Sequence, residues 1–165
     1  MTTTIKNILV KDDNEILGSS IALHLHRQGF SVWRTCDVEQ AKSTIEAAEK
    51  AGQPFDLVIS DILMPNQSGV ALITWLHAHH PEVAVLVLSG FGNADLLKTL
   101  IRPGRDSFQK NPVLPQEVMT AIHSIEKKAQ ERLEQVAMVQ EPGKVLFLKC
   151  HSEKERCEFH KTKEA

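Results

Sequence analysis

Short apolar runs alternate along the chain with segments whose apolar residues recur every three or four positions. The runs are NILV (7–10), SVWRT (31–35), DLVIS (56–60), VAVLVLS (83–89) and DSFQ (106–109). Short runs rich in Val, Ile and Leu are typical of buried strands, and the periodicity between them is typical of amphipathic helices. The pattern therefore predicts five strands that alternate with helices.

Five helices are expected after these strands. In the first, Leu17, Ile21 and Leu25 step by four residues and Gly29 provides a stop. The others are expected near 38–51, 68–79 and 93–102, and from 115 onward. Strands of near-continuous apolar residues indicate a parallel sheet that is covered by helices on both faces. In such sheets, ligands bind beyond the carboxyl ends of the strands, where the strand order reverses.

Four predicted strands are followed by residues that could form a site at this edge. They are Asp12 and Asp13 after the first, Asp61 after the third, Ser89 and Gly90 after the fourth, and Lys110 near the fifth. Three carboxylates that converge at one edge repel one another, so without a cation at least one is expected to take up a proton. Mg²⁺ prefers oxygen ligands and is typically bound by one or two carboxylates together with phosphate oxygens. The cluster therefore predicts a Mg²⁺ site at which a carboxylate acts as a nucleophile toward phosphorus, aided by a serine hydroxyl and a lysine.

These motifs resemble those of response-regulator receiver domains, the CheY-like superfamily of two-component signal transduction, over roughly residues 5–128. The resemblance implies an α/β, flavodoxin-like (βα)5 fold with a doubly wound parallel sheet of strand order 2-1-3-4-5. We expect a receiver domain at 1–128, an extension of the fifth helix at 129–140 and a tail without a recognisable output domain at 141–165.

The resemblance assigns a role to each matching residue. The pair Asp12–Asp13 is similar to the family's metal-binding pair, with Asp13 as the direct ligand and Asp12 acting partly through water. The stretch DILMP resembles the phosphoacceptor motif, which makes Asp61 the nucleophile and the backbone carbonyl of Leu63 a metal ligand. Gly69 matches the family's glycine after that turn.

The same resemblance implies a switch. Ser89 in LSG occupies the position of the switch hydroxyl, and Phe108 that of the switch aromatic. A histidine kinase or phosphotransfer protein would donate a phosphoryl group to Asp61, after which Ser89 and Phe108 move and a downstream protein partner binds. The chain would then be a signalling domain rather than an enzyme, with at most self-phosphotransfer and autodephosphorylation.

Two residues depart from the family pattern. The fifth strand ends in FQKNP, so Lys110 comes one residue early and Asn111 takes the lysine's position. A slip of one residue sends a strand side chain to the opposite face. Lys11 stands where a buried strand should be apolar, and one hypothesis is that it partly replaces the displaced lysine; the alternative is a snorkelling lysine without a role. These departures support an alternative function, a degenerate receiver that acts as a phosphorylation-independent protein-interaction module.

Composition limits the other function classes. The net charge of −2 argues against a nucleic-acid surface built on positive charge, and 42% hydrophobic content is ordinary for a globular domain. The 3 cysteines form no disulfide framework, and the sequence contains neither a signal-peptide pattern nor a run of eighteen apolar residues. We therefore expect a cytoplasmic protein without a membrane span, disulfide or nucleic-acid partner.

The remaining features are less specific. His77 and His80 have a spacing that can share a metal ion, but with no third ligand in view a solvated helix end is expected. The fifth helix extends beyond the domain edge, which suits either a linker helix that supports a homodimer or a charged helix packed on its own domain. In the tail, Cys150, His151, Cys157 and His160 have zinc-ligand chemistry but no standard spacing, so a short strand and a charged end are expected there.

Overall fold

A computed structural model describes residues 4–62, 68–90, 94–110 and 113–139. Leu63, Asn111 and the tail from residue 140 lie outside the described residues, so the expectations for them stay predictions. The elements are β1 (Asn7–Lys11), α1 (Glu15–Arg27), β2 (Ser31–Thr35), α2 (Val38–Lys50), β3 (Leu57–Ile62), α3 (Ser68–His79), β4 (Ala84–Ser89), α4 (Ala94–Leu100), β5 (Ser107–Lys110) and α5 (Pro115–Val139).

The five strands form one parallel sheet in the order β2-β1-β3-β4-β5, which confirms the predicted topology. The chain crosses from β2 back to β3 on the other side of β1, so the strand order reverses between β1 and β3. The pairing of Lys11 with Ser60 aligns the carboxyl ends of these two strands. The reversal therefore brings the residues after β1 beside Asp61.

Helices cover both faces of the sheet over two separate cores. One core packs Ile21 and Leu25 of α1 and Ile122 of α5 against Ile8 and Leu86 of the sheet. The other packs residues of α2 and α3 on the opposite face, with members Ala41, Ile45, Leu72, Ile73 and Leu76 against Leu9, Val58 and Val85. Complete burial of one such aliphatic side chain stabilises the fold by about 1.5–3 kcal/mol. These cores hold the helices against both faces of the sheet.

The predicted helix and strand bounds agree with the structure to within a few residues. The difference that matters most concerns β3. This strand was expected to end at residue 60, but it continues through Asp61 and Ile62, which pair with Leu88 and Ser89 of β4, so Asp61 lies inside a strand rather than after it. β5 begins at Ser107, one residue later than predicted, and the side chain of Asp106 accepts hydrogen bonds from Val85 N and Arg102 N.

The last helix, α5, continues to Val139, as the apolar periodicity predicted. The chain divides into the units Met1–Arg132 and Leu133–Ala165, and the described part of the second unit ends with α5 at Val139. In that part, Leu133 and Val136 are exposed. No helix in the described part of the chain is long and apolar enough to cross a membrane.

Candidate functional site

Three carboxylates meet at the carboxyl ends of β1 and β3. One oxygen each from Asp12, Asp13 and Asp61 can be chosen so that all three lie within 4.8 Å of one another. Asp12 and Asp61 are buried, whereas Asp13 is exposed. The structure therefore brings together the three acids that the sequence predicted to form one cluster.

The turn from β1 into α1 fixes the orientation of Asp12. Its backbone N–H donates to the carbonyl oxygen of Thr35 at 3.1 Å, and its Oδ1 accepts from the N–H of Asn14 at 2.8 Å. Asn14 in turn caps α1, because its Oδ1 accepts from the N–H of Leu17 at 3.1 Å. The second oxygen, Oδ2 of Asp12, is buried and accepts no hydrogen bond from the described residues.

Burial and mutual repulsion make the ionised cluster unfavourable. The pKa of Asp61 is raised from its ordinary 3.8 to about 6, first by burial and then by the charges of Asp12 and Asp13, while Lys11 lowers it. The pKa of Asp12 is also raised, again first by burial. A group that favours the charged forms would relieve this penalty.

The cluster has the chemistry of a divalent cation site. Its donors are carboxylate oxygens, which Mg²⁺ and Ca²⁺ prefer over nitrogen and sulfur. The buried Oδ2 of Asp12 lacks a hydrogen-bond donor among the described residues, which a cation would compensate. Asp12, Asp13 and Asp61 therefore fit such an ion. Leu63, the expected carbonyl ligand, lies outside the described residues.

Gly69 allows the start of α3 to approach the strand that carries Asp61. A β-carbon added to residue 69 would lie 2.5 Å from the backbone oxygen of Asp61 and 3.0 Å from Cγ1 of Ile62. Only glycine fits so close an approach without a shift of the backbone. Packing at residue 69 thus helps to position Asp61.

Ser89 lies at the same edge, one strand away from Asp61. It ends β4, is buried, and pairs across the sheet with Ile62, the residue after Asp61. Its hydroxyl donates to the carbonyl oxygen of Gly90 at 3.1 Å, a bond within its own turn. The hydroxyl can exchange this bond for another acceptor by rotation about χ1, as a switch hydroxyl requires.

Phe108 and Lys110 are both exposed residues of β5. Side chains alternate along this strand, with Ser107 and Gln109 half-buried and Phe108 and Lys110 exposed. The alternation continues through Lys110, so β5 contains no shift that turns this lysine toward the half-buried side. Lys110 as a phosphate-pairing group stays a prediction.

Lys11 is a buried cation beside the acids. It is only 4% exposed, at the end of β1, and its charge lowers the pKa of both Asp12 and Asp61. The structure therefore places this lysine within electrostatic reach of the cluster, in line with the hypothesis drawn from its position in the sequence.

Arg34 and Thr35 were not predicted to lie near the acids, because only the residues after β2 were considered. The charge of Arg34 lowers the pKa of Asp12, and a β-carbon at Gly18 would lie 2.9 Å from Nε of Arg34 and 3.1 Å from Cβ of Asp12. Nε of Arg34 and Oγ1 of Thr35 are buried without a hydrogen-bond partner among the described residues. A polar residue within the last positions of β2 was the available signal, since β2 borders β1.

Residues 8–123 match the family model of the response regulator receiver domain. The chain belongs to this family. The topology and the position of the acidic cluster agree with the assignment, and the sequence-based identification as a receiver is confirmed.

Solved structures of response regulators resemble this receiver. A response regulator from Burkholderia pseudomallei, solved with a phosphorylated aspartic acid, calcium ion and citrate, is 30% identical; the match covers 78% of this chain and 74% of that one, with a TM-score of 0.57. The receiver domain of NtrX from Brucella abortus is 27% identical over 72% of this chain and 98% of that one, with a TM-score of 0.61.

Curated relatives are longer than this receiver. The transcriptional regulatory protein AruR of Pseudomonas aeruginosa is 25% identical over 116 residues, which are 70% of this chain and 47% of AruR. The response regulator protein PilR of the same organism is 25% identical over 127 residues, or 74% of this chain and 27% of PilR. The receiver thus spans about a quarter to a half of the length of these two relatives.

Proposed function

We propose that this receiver accepts a phosphoryl group on Asp61 from a histidine kinase or phosphotransfer protein in the cytoplasm, in a Mg²⁺-dependent reaction, and then changes its protein-binding surface. The observation that carries the proposal is the buried convergence of Asp61 with Asp12 and Asp13 at the point where the strand order reverses. The phosphorylated aspartic acid and calcium ion of the Burkholderia pseudomallei relative support it.

The chain's own residues account for the transfer. A carboxylate oxygen of Asp61 forms the new O–P bond while the P–N bond of the donor phosphohistidine breaks, and the imidazole leaves with the electron pair. Asp12, Asp13 and Asp61 would hold Mg²⁺, which when bound would neutralise charge on the transferring group. The raised pKa of Asp61, about 6, still leaves this carboxylate ionised at neutral pH.

Two residues would stabilise and report the phosphorylated state. Ser89 would rotate from the carbonyl oxygen of Gly90 to a phosphoryl oxygen. Phe108, now exposed, would turn inward as that movement opens space, and the changed face would bind a downstream protein. Lys11 would provide the cation that pairs with the phosphoryl group, because it is buried beside the acids.

The alternative is a degenerate receiver that binds its partner without phosphorylation. It rests on the sequence departure at Lys110, which is an exposed residue of β5. The two functions differ in whether Asp61 becomes phosphorylated.

The test is incubation with Mg²⁺ and acetyl phosphate or a phosphohistidine donor, followed by intact-mass measurement. We expect a gain of one phosphoryl group that is lost in Asp61→Asn and in EDTA but kept in Asp95→Asn, a matched change on α4. A chain that binds Mg²⁺ but gains no phosphate from either donor would contradict the proposal and favour the interaction module.

A further inference from the structure

A second set of metal-ligand side chains lies at the opposite edge of the sheet. Glu49 comes from the end of α2, His80 follows α3 directly, and Glu82 precedes β4. One ligand atom from each can be chosen so that all three lie within 4.8 Å of one another. The amino end of β4 is remote from the carboxyl end that carries Ser89, so the proposed phosphorylation leaves this set unused.

The spacing of the ligand atoms suits a metal ion. Nδ1 of His80 lies 3.2 Å from Oε2 of Glu49 and 4.0 Å from Oε1 of Glu82. Metal–ligand bonds of about 2.1 Å at tetrahedral angles place two donor atoms about 3.4 Å apart. The distance from His80 to Glu82 has to shorten by about half an ångström, and the side chain of Glu82 is 64% exposed, which leaves it free to move.

The imidazole is already held in position. His80 is 7% exposed, and its ring packs against Trp75 with the centroids 5.0 Å apart. Its backbone N–H donates to the carbonyl oxygen of Leu76 at 2.7 Å, and its own carbonyl oxygen accepts from Val83 N at 3.1 Å. A buried ring fixed by packing and by two backbone bonds loses little entropy when it binds an ion. The expectation of a solvated helix end is therefore wrong for His80.

Charge and access also favour a cation. Glu49 and Glu82 line a cavity of about 280 Å³, together with Asp56, Glu126 and Arg132. Four acidic residues and one arginine thus line this cavity, while His80 does not line it. Glu49 and Glu82 are 55% and 64% exposed, so water molecules can complete the coordination of an ion bound by the three protein ligands.

We propose that Glu49, His80 and Glu82 form a binding site for a divalent transition-metal ion of the Zn²⁺ class. The imidazole decides the class, because nitrogen ligands suit Zn²⁺, Ni²⁺ or Cu²⁺ better than Mg²⁺ or Ca²⁺. The same contacts would also serve an ion pair of protonated His80 with the two glutamates. The two interpretations differ in whether a metal ion displaces that proton.

The test is calorimetric titration of the full chain with ZnCl₂ in saturating Mg²⁺, which occupies the acidic cluster of Asp61. His80→Gln and Glu82→Gln are compared with His79→Gln, which removes the neighbouring histidine that also stacks on Trp75. We expect the first two variants to weaken one Zn²⁺-binding event at least about tenfold. His79→Gln is expected to leave this event unchanged.

Comparison among variants separates this site from zinc bound elsewhere in the chain. Glu82→Gln changes an exposed side chain, so the test holds even if His80→Gln fails to fold. Equal Zn²⁺ binding in all variants would overturn the proposal and leave an ion pair. An effect of His80→Gln without one of Glu82→Gln would overturn it as well, because it would assign His80 a purely structural role.

A second readout uses Trp75. In a Trp33→Phe background, Ni²⁺ is expected to quench the remaining tryptophan emission, because the ring of Trp75 lies 5.0 Å from that of His80. The quenching should disappear in His80→Gln. Quenching that persists in that variant would count against the site.

Discussion

The backbone oxygen of Asp61 lies 2.5 Å from the point where a β-carbon would stand on Gly69. The start of α3 therefore contacts the strand end that carries the proposed nucleophile, and this contact requires a glycine at residue 69. The position of Asp61 thus depends on close backbone packing as well as on the neighbouring acids.

Replacement of Gly69 by alanine should force β3 and α3 apart. We expect Gly69→Ala to lower the free energy of unfolding by about 1–3 kcal/mol, the usual cost of an overpacked site. Urea unfolding followed by circular dichroism measures the change. Gly90→Ala is the control, since no atom of the described residues lies within 4 Å of its added β-carbon; an equal loss in both variants would contradict the close-packing argument.

The repulsion within the acidic cluster should make Asp61 a destabilising residue in the absence of divalent cations. The rise of its pKa from 3.8 to about 6 corresponds to at most about 3 kcal/mol. Because relaxation and water penetration reduce this figure, we expect Asp61→Asn to raise the free energy of unfolding by about 1–2 kcal/mol at pH 7.5 in EDTA. Chemical unfolding of both proteins measures the difference.

The pH dependence of this difference follows from the direction of the shift. A carboxyl group whose pKa is raised by folding stabilises the protein below its unfolded pKa, and this stabilisation is lost as the pH rises through the folded value, about 6. The increase in the free energy of unfolding caused by Asp61→Asn should therefore be smaller at pH 4 than at pH 7.5. An increase that is as large at pH 4 would show that charge repulsion is not its cause.

Lys11 and Lys110 are the two candidates for the cation that pairs with the phosphoryl group. Because Lys11 is buried beside the acids and Lys110 is exposed on β5, we expect Lys11→Met to slow phosphorylation by acetyl phosphate at least about tenfold. Lys110→Met, the matched control, should change the rate less than about threefold. The initial rate of mass gain measures both, and the reverse order would assign the role to Lys110.

His77 should be neutral near physiological pH despite its contact with Asp106. Its Nε2 lies 3.1 Å from Oδ2 of Asp106, yet its pKa is lowered from 6.5, first by burial and then by Arg102, and Asp106 only partly opposes this. The stability that this neutral imidazole contributes is present above pH 6.5 and is lost as the pH falls through its folded pKa. An NMR titration, assigned with His77→Gln, is expected to give a midpoint below 6.5; a midpoint above it would show that Asp106 dominates.

The fold and the acidic cluster were predictable from the sequence because they depend on local patterns. Apolar runs determined which segments are strands, and the edge rule for parallel sheets was enough to bring Asp12, Asp13 and Asp61 together. The strand order and the switch roles of Ser89 and Phe108 came from family resemblance. Of these, the strand order is confirmed, and the roles stay predictions.

Other features depend on contacts between segments that are distant in the chain. Asp61 lies inside β3 because β4 extends the pairing by two residues, which no local pattern shows. His80 is buried because Trp75 packs on it and Glu49 reaches it from another helix, so a spacing argument within α3 missed it. Arg34 was missed because only the residues after β2 were considered, although β2 lies beside β1 and thus brings Arg34 near Asp12.

The most direct test of the central claim is to locate the phosphorylated residue. After reaction with acetyl phosphate and Mg²⁺, hydroxylamine converts an acyl phosphate into a hydroxamate, and peptide mass spectrometry identifies the modified side chain. We predict a hydroxamate on Asp61, with Asp12 and Asp13 unmodified. Modification of Asp12 or Asp13 instead, or phosphate found only on a histidine, would contradict the assignment of Asp61 as the phosphoacceptor.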